Sequence, residues 1–233
     1  MPMIAICNMG VFILAKRPVF EVVLRPHLFN RREVEFQFFS GFSDTQKRRC
    51  IQSLHQSYLK AYPGKKVLEI SSKSEEELGV KLSAFNLQME LENGELTSVE
   101  SAFQGSKVFE NGGPYTDLLT ASSRAAKKDV RLKNSGRIVA FSFLGDTFAT
   151  EPKTGFYNWL YVSALKRYND LTEQLVEYDA FTDIVFNPQK SLNCQAGAAA
   201  IYVSLHRQGL LDRAMQSKDS FLDTVYFYMR KNR

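Results

Sequence analysis

Residues 98–115 read SVESAFQGSKVFENGGPY, and the fold is read outward from this stretch. Ser98 is a helix N-cap type, and Val99, Ala102, Phe103 and Ser106 after it make an apolar or small face at helical spacing. The pattern predicts a helix from Ser98 to about Glu110, broken by Asn111-Gly112-Gly113-Pro114. Glu100, Gln104 and Lys107 stand at i, i+4 and i+7, on one flank of that helix. The acid and the lysine are then about two turns, roughly 10 Å, apart, too far for a simple exposed ion pair. From spacing alone, the plain reading is a charged helix side with no role. Two neighbours point instead to a cleft: the Gly-Gly-Pro loop that follows, and LSAFNL before it, whose Ser83 and Asn86 sit among apolar residues.

Upstream, VFEVVL and EVEFQFF are Val/Phe-rich extended segments. FSDTQKRRCIQSLHQSYLKAY switches to helical period, with Ser43 and Gln46 as a capping box and Pro63-Gly64 as the stop. KVLEI and FNLQMEL are short strand candidates, the second closed by Asn93-Gly94. Downstream, RIVAFSF reads as a buried strand. YNWLYVSALKRY, LTEQLVEY, LNCQAGAAAIYVSLHRQGLL and the C-terminal SKDSFLDTVYFYMRKNR read as helices, and AFTDIVF as extended. Strands come mainly in the N-terminal part and helices dominate after residue 98. With no regular βαβ alternation, the expected class is a single α+β domain rather than a doubly wound sheet.

The chain has 233 residues, 44% hydrophobic and 24% charged, with 18 Phe and 10 Tyr, which is ample material for a core. A formal charge of +5 favours an anionic partner without requiring one. Three cysteines, Cys7, Cys50 and Cys194, form no CxxC pair and suit a reducing compartment. The three histidines show no ligand spacing, which argues against a zinc site. The apolar run from Met3 to Leu14 is too short to span a bilayer and lacks the charge order of a signal peptide. It reads as a buried strand or an upstream extension, and the expected location is the cytoplasm. Neither a dinucleotide fingerprint nor a P-loop occurs.

Several motifs together carry a family resemblance. SVESAFQGSKVF resembles the signature helix of the NADAR family, Ser/Thr-Val-Glu-x-x-Phe-Gln-x-x-Lys, and LSAFNL resembles its LSNF-type segment. FYNWLYVSALKRYNDLTEQLVEYDAFTDIVFNP is similar to its Trp-containing helix and the acidic motif after it, and NCQAGAAAIYVSLHR takes the place of its final helix. The matches run in family order from about 82 to 207. Two departures stand out: Ala84 replaces the Asn of the LSNF segment, and Asp183 is followed by Ile-Val-Phe instead of Trp-Gly. AKRPVF, GFSDTQKRR and AKKDVRLKNSG are closest to one branch, antitoxins paired with a DNA-targeting ADP-ribosyltransferase toxin. That resemblance starts near Ala15. It implies an extension at 1–14 and one NADAR-type catalytic domain at 15–233.

The resemblance implies a glycohydrolase that removes ADP-ribose from guanine bases of DNA, with no metal or other cofactor and no membrane partner. It assigns Lys107 the role of a Schiff-base nucleophile, which needs a neutral, partly desolvated amine. Glu100 would be the acid/base, with a sugar between the two. Asp183 is expected as a second carboxylate, with Asp179 as the alternative; a turn cap is the structural reading of Asp183. Ser83, Phe85, Asn86, Gln104, Tyr115 and Asn193 are expected substrate contacts, Tyr115 by stacking on a base, and Trp159 is either core or a stacking platform. Lys47, Arg48, Arg49, Lys127, Lys128, Arg131 and Lys133 are the expected DNA contacts. Alternatives are an N-glycosidase acting on a soluble nucleotide intermediate of riboflavin-pathway type and a non-catalytic antitoxin that blocks its toxin.

Overall fold

The computed structural model describes the backbone of residues 3–7, 10–24 and 27–231 and the side chains of residues 13–24 and 27–226. β1 (Met3–Cys7) and β2 (Gly10–Val22) form an antiparallel hairpin, Met3 opposite Leu14. The segment expected as a strand or an upstream extension forms a strand along Met3–Cys7, which leaves its standing as an extension open. Whether its side chains are buried, and the state of the Cys7 thiol, lie outside the described residues. β2 continues antiparallel to β3 (Phe29–Gln37). The helix α1 (Asp44–Ala61) follows, with the Ser43 hydroxyl accepting from the Gln46 amide at 3.3 Å. Its Cys50, Ile51, Leu54 and Tyr58 form a small core with Val19 and Phe36 of the sheet.

Next come β4 (Val67–Glu69), the short α2 (Glu77–Lys81), and a hairpin of β5 (Gln88–Glu90) and β6 (Leu96–Ser98) turned through Gly94 at φ +80°. α3 (Val99–Gly105) leads into β7 (Lys107–Phe109). After α4 (Ser123–Lys128) and α5 (Arg131–Asn134), β8 (Ile138–Phe143) and β9 (Asp146–Ala149) complete a three-stranded antiparallel sheet with β7. α6 (Gly155–Leu165), α7 (Asn169–Leu175), β10 (Ala180–Thr182), α8 (Gln195–Arg207), α9 (Leu211–Ala214) and α10 (Lys218–Lys231) close the chain.

The architecture is α+β with the longest strands N-terminal. β10 joins the first sheet antiparallel to β2 and parallel to β4, so the C-terminal half contributes a strand to the N-terminal sheet. α8 packs closely against that sheet because its first turns are small: an added Cβ at Gly197 would lie 3.2 Å from the Phe20 ring. Ala196, Ala198, Ala199 and Ala200 are fully buried beside it. α6 fills the rest of the main core with Leu160, Tyr161, Val162 and Leu165.

Two readings need correction. The helix expected to run to Glu110 ends at Gly105. Ser106 bonds back to the Ala102 carbonyl through its hydroxyl at 2.6 Å, while its own carbonyl accepts from the Ser142 amide at 2.8 Å. The chain is thereby drawn into a ladder with β8, Lys107 opposite Phe141. In the RIVAFSF strand only Phe141 and Phe143 are buried, whereas Ile138 and Val139 are 37% and 50% exposed.

Candidate active site

α3 is held firmly at its N-terminus. The Ser98 hydroxyl accepts from the Ser101 amide at 3.0 Å and lies 2.7 Å from the Ser123 hydroxyl of α4. The Glu100 amide donates to the Ala84 carbonyl at 2.8 Å, which ties the helix to the LSAFNL segment. At its other end an added Cβ on Gly105 would meet Leu119 at 2.9 Å. The side chains of Glu100 and Gln104 are therefore presented from a fixed scaffold into a cleft of about 1130 Å³.

Within it, Gln104 bridges the acid and the lysine. Its Nε2 donates to Glu100 Oε1 at 2.8 Å, and its Oε1 accepts from Lys107 Nζ at 2.6 Å. A carboxylate only accepts and an ammonium only donates, so this amide orientation alone satisfies both neighbours. Glu100 Oε1 is also 3.4 Å from Lys127 Nζ of α4. Each lysine lies over an aromatic face, Lys107 over Phe103 at 4.7 Å and Lys127 over Phe85 at 5.0 Å. Burial pulls the Lys107 amine down to about 8; Glu100 opposes that shift and Lys127 adds to it.

Asp183, also in the cleft lining, follows β10. Its Oδ1 accepts from the amides of Val185 and Phe186, both at 3.1 Å, and its Oδ2 from Gln195 Nε2 at 2.9 Å. Gln195 also donates to the Ile70 carbonyl and accepts from the Ala84 amide at 2.6 Å. One side chain thus joins the Asp183 turn to the segment that anchors Glu100. Behind it lies a second buried acid, Glu69, bonded by Ser71, Thr182 and the Ile184 amide. Burial raises both carboxyls, and their mutual repulsion raises Asp183 further. Two cleft-lining atoms, Ser83 Oγ and Asn193 Oδ1, are buried with no hydrogen-bond partner among the described residues. Such atoms are costly unless something else bonds them.

The family model for DarT1-associated NADAR antitoxins matches residues 15–233. The chain belongs to that family. No curated protein matches it. The match covers every element of the cleft and leaves out the part of β2 that pairs with β1. The family's description pairs this NADAR antitoxin with a toxin. Among the described residues, no helix is long and apolar enough to cross a membrane.

The NADAR cleft gathers some of the expected residues and leaves others elsewhere. Ser83, Phe85, Glu100, Gln104, Lys107, Lys127, Asp183 and Asn193 line it. Asn86 does not; its amide donates to the Val80 carbonyl at 2.9 Å. Asp179 is on another face, accepting from the Lys66 amide and paired with Lys65 and Arg207. Tyr115 is held by Ser135 at 2.5 Å with Arg131 over its ring, and Trp159, half-buried, packs on Phe148 and Phe156 against the core. Of the expected DNA contacts, Lys127 alone reaches the cleft. Arg131 is clamped by Asp117 and Asp129, which both take its guanidinium nitrogens, and Arg49 lies over the Phe39 ring. Lys47, Arg48, Lys128 and Lys133 lie outside the cleft lining. Among the lining residues that the sequence did not single out are Tyr157, Lys153, Lys190 and Gln195.

Proposed function

We propose that this NADAR antitoxin is a glycohydrolase that releases ADP-ribose from guanine bases of DNA, undoing in the cytoplasm the modification made by its toxin, with residues 15–233 as the catalytic unit. One observation carries the reading: a half-buried lysine amine, at about 8, joined through an amide to a buried glutamate in a cleft large enough for a nucleotide sugar. At pH 7.5 about a quarter of such amines are neutral, against about one in a thousand for an ordinary lysine at 10.5.

The neutral Lys107 amine adds to the anomeric carbon of the ribose as the bond to the guanine amino nitrogen breaks. That bond's electron pair leaves with the base, which takes a proton. The Lys107 nitrogen then expels the ring oxygen, which takes a second proton, and a protein-bound imine results. Water adds to the imine carbon, the amine departs, and ADP-ribose is released. Glu100, one amide away, carries the protons. Asp183, kept protonated by burial, and the unpartnered Ser83 and Asn193 meet ribose hydroxyls. Lys153 and Lys190 supply cations for phosphates.

The test is incubation with an ADP-ribosylated oligonucleotide. The expected products are free ADP-ribose and unmodified DNA, and borohydride added during turnover leaves a covalent adduct on the peptide holding Lys107. Lys107→Arg stays protonated and gives neither product nor adduct. Failure of the wild-type protein to release ADP-ribose refutes the reading, and release from a free nucleotide but not from DNA favours the small-molecule substrate.

A further inference from the structure

The cleft contains a group with no part in the chemistry above. Lys127 stands on α4, reaches across to α3, and places its ammonium 3.4 Å from the same Glu100 oxygen that Gln104 occupies. Its side chain is 55% exposed, so attraction to a distant phosphate would be an ordinary use for it. Its position is not ordinary. The Phe85 ring beneath the ammonium, at 5.0 Å, and the buried carboxylate ahead of it, itself only 8% exposed, fix the head group at one point. Phe85 is in turn tied to α4, because the Ser123 hydroxyl donates to its carbonyl at 2.8 Å.

We propose that Lys127 is a positioning residue of this site: its ammonium holds the Glu100 carboxylate, so that the Lys107 amine faces the amide of Gln104 and not an anion. The inference rests on the assignment of Lys107 as nucleophile. Its physical content is a division of labour between two lysines. A buried carboxylate attracts a nearby cation, and a lysine paired with it is locked in its charged, unreactive form. Lys127 satisfies that demand from the solvent side. Lys107 is left with a neutral acceptor, which bonds an amine and an ammonium alike. Around Lys107 the cleft carries Glu100 on α3, Lys127 on α4, Lys153 ahead of α6, Tyr157 on α6 and Asp183 after β10. Of these, Glu100 and Lys127 are the charges that shift it, in opposite directions.

The test compares the wild-type protein with Lys127→Gln and Lys127→Arg in two measurements. The first is competitive labelling of lysines with a trace amine reagent across pH, which reports the titration midpoint of Lys107 without any substrate. The second is the pH–rate profile on an ADP-ribosylated oligonucleotide. Lys127→Gln should raise the Lys107 midpoint by about one pH unit, the lower end of what one charge does at a partly buried site. Hydrolysis at pH 7 should fall about tenfold and return toward the wild-type rate near pH 10. Lys127→Arg should restore both. An unchanged Lys107 midpoint in Lys127→Gln overturns the proposal, and so does a loss of rate that is equal at every pH. If the wild-type protein releases no ADP-ribose, the glycohydrolase reading falls alone, because the labelling midpoint still decides what Lys127 does to Lys107.

Discussion

The depressed Lys107 amine makes a quantitative demand on the rate of the first chemical step. With a midpoint of about 8, the neutral fraction is about 9% at pH 7, about half at pH 8 and about 91% at pH 9. If the neutral amine is the nucleophile, the single-turnover rate rises about tenfold between pH 7 and pH 9 and then levels. A lysine at its ordinary value of 10.5 would rise about a hundredfold over that interval and still be climbing at its end. The two profiles differ in shape as well as size, so no absolute rate is needed to separate them.

The assay uses enzyme in excess over an ADP-ribosylated oligonucleotide, rapid quenching, and quantitation of released ADP-ribose. A parallel series quenched into borohydride follows the trapped imine, and both series should share the midpoint. A log-linear climb continuing through pH 9.5 would show that burial does not tune Lys107. A rate flat from pH 6 to 9 would remove the amine from the rate-determining step altogether. The chemistry would then pass to Glu100 and Asp183 as a carboxylate pair acting on water.

The same shift predicts that the lysine weakens the fold. Its folded midpoint of about 8 lies below 10.5, so the folded state holds fewer protons between those values. The cost is fully present below pH 8 and fades as pH rises toward 10.5. Lys107→Met should therefore stabilise the protein at pH 7 by about 1–3 kcal/mol, discounted for the residual contact of the amine with water, with no gain at pH 11 in urea denaturation followed by Trp159 fluorescence. The buried acids act with the opposite slope. Glu69 and Asp183 are raised, so the folded state retains protons that the unfolded chain releases, and stability falls as pH climbs from the carboxylate range to neutrality. Glu69→Gln should flatten that fall, and an unchanged slope would remove Glu69 as its source. On DNA, Lys153→Ala and Lys190→Ala should each lower the salt dependence of binding by about 0.7–0.9 in the log–log slope, whereas Arg131→Ala, already paired with two aspartates, should leave it unchanged.

How much of this was legible in the sequence depended on the range of the interaction behind each feature. Ser43 caps α1 within one turn by accepting from the Gln46 amide, whereas the Gln46 side chain, expected to complete a capping box, takes Arg49 instead. Glu100 and Gln104 are four residues apart on one helix, and they do meet on one face. Lys107 fits the same helical spacing, yet it begins a strand, because β7 is defined by pairing with β8 some thirty residues later. It reaches Gln104 all the same. The part of the cleft around Asp183 has the weakest signal in the sequence. Asp183 stood out as an acid, but its neighbour Glu69 comes from β4 and reads locally as the end of an apolar strand. Gln195, which bonds both Asp183 and the Ala84 amide, looks like any polar residue opening a helix. Tyr115 was placed near the cleft by the Gly-Gly-Pro loop, but that loop carries it onto Ser135 and Arg131.

The arrangement also explains why an amide stands at position 104. The proposed chemistry calls for a carboxylate to move protons and an amine that is often neutral, both in one cleft. Placed in contact, each would hold the other in its charged form, and the amine would lose its reactivity. Distance alone does not prevent this, because long side chains in a water-poor space reach for each other. Gln104 prevents it by satisfying both at once, donating to Glu100 and accepting from Lys107. A glutamate there would offer two acceptors and repel Glu100, and a lysine would offer only donors and repel Lys107. A methionine of similar length would leave both partners unmet and free to close on each other. The helix ending at Gly105 serves the same purpose, since it turns the Lys107 backbone off α3 while its amine returns to the end of the Gln104 side chain. What the opening stretch encodes is an acid and a base kept apart by one hydrogen-bonded amide.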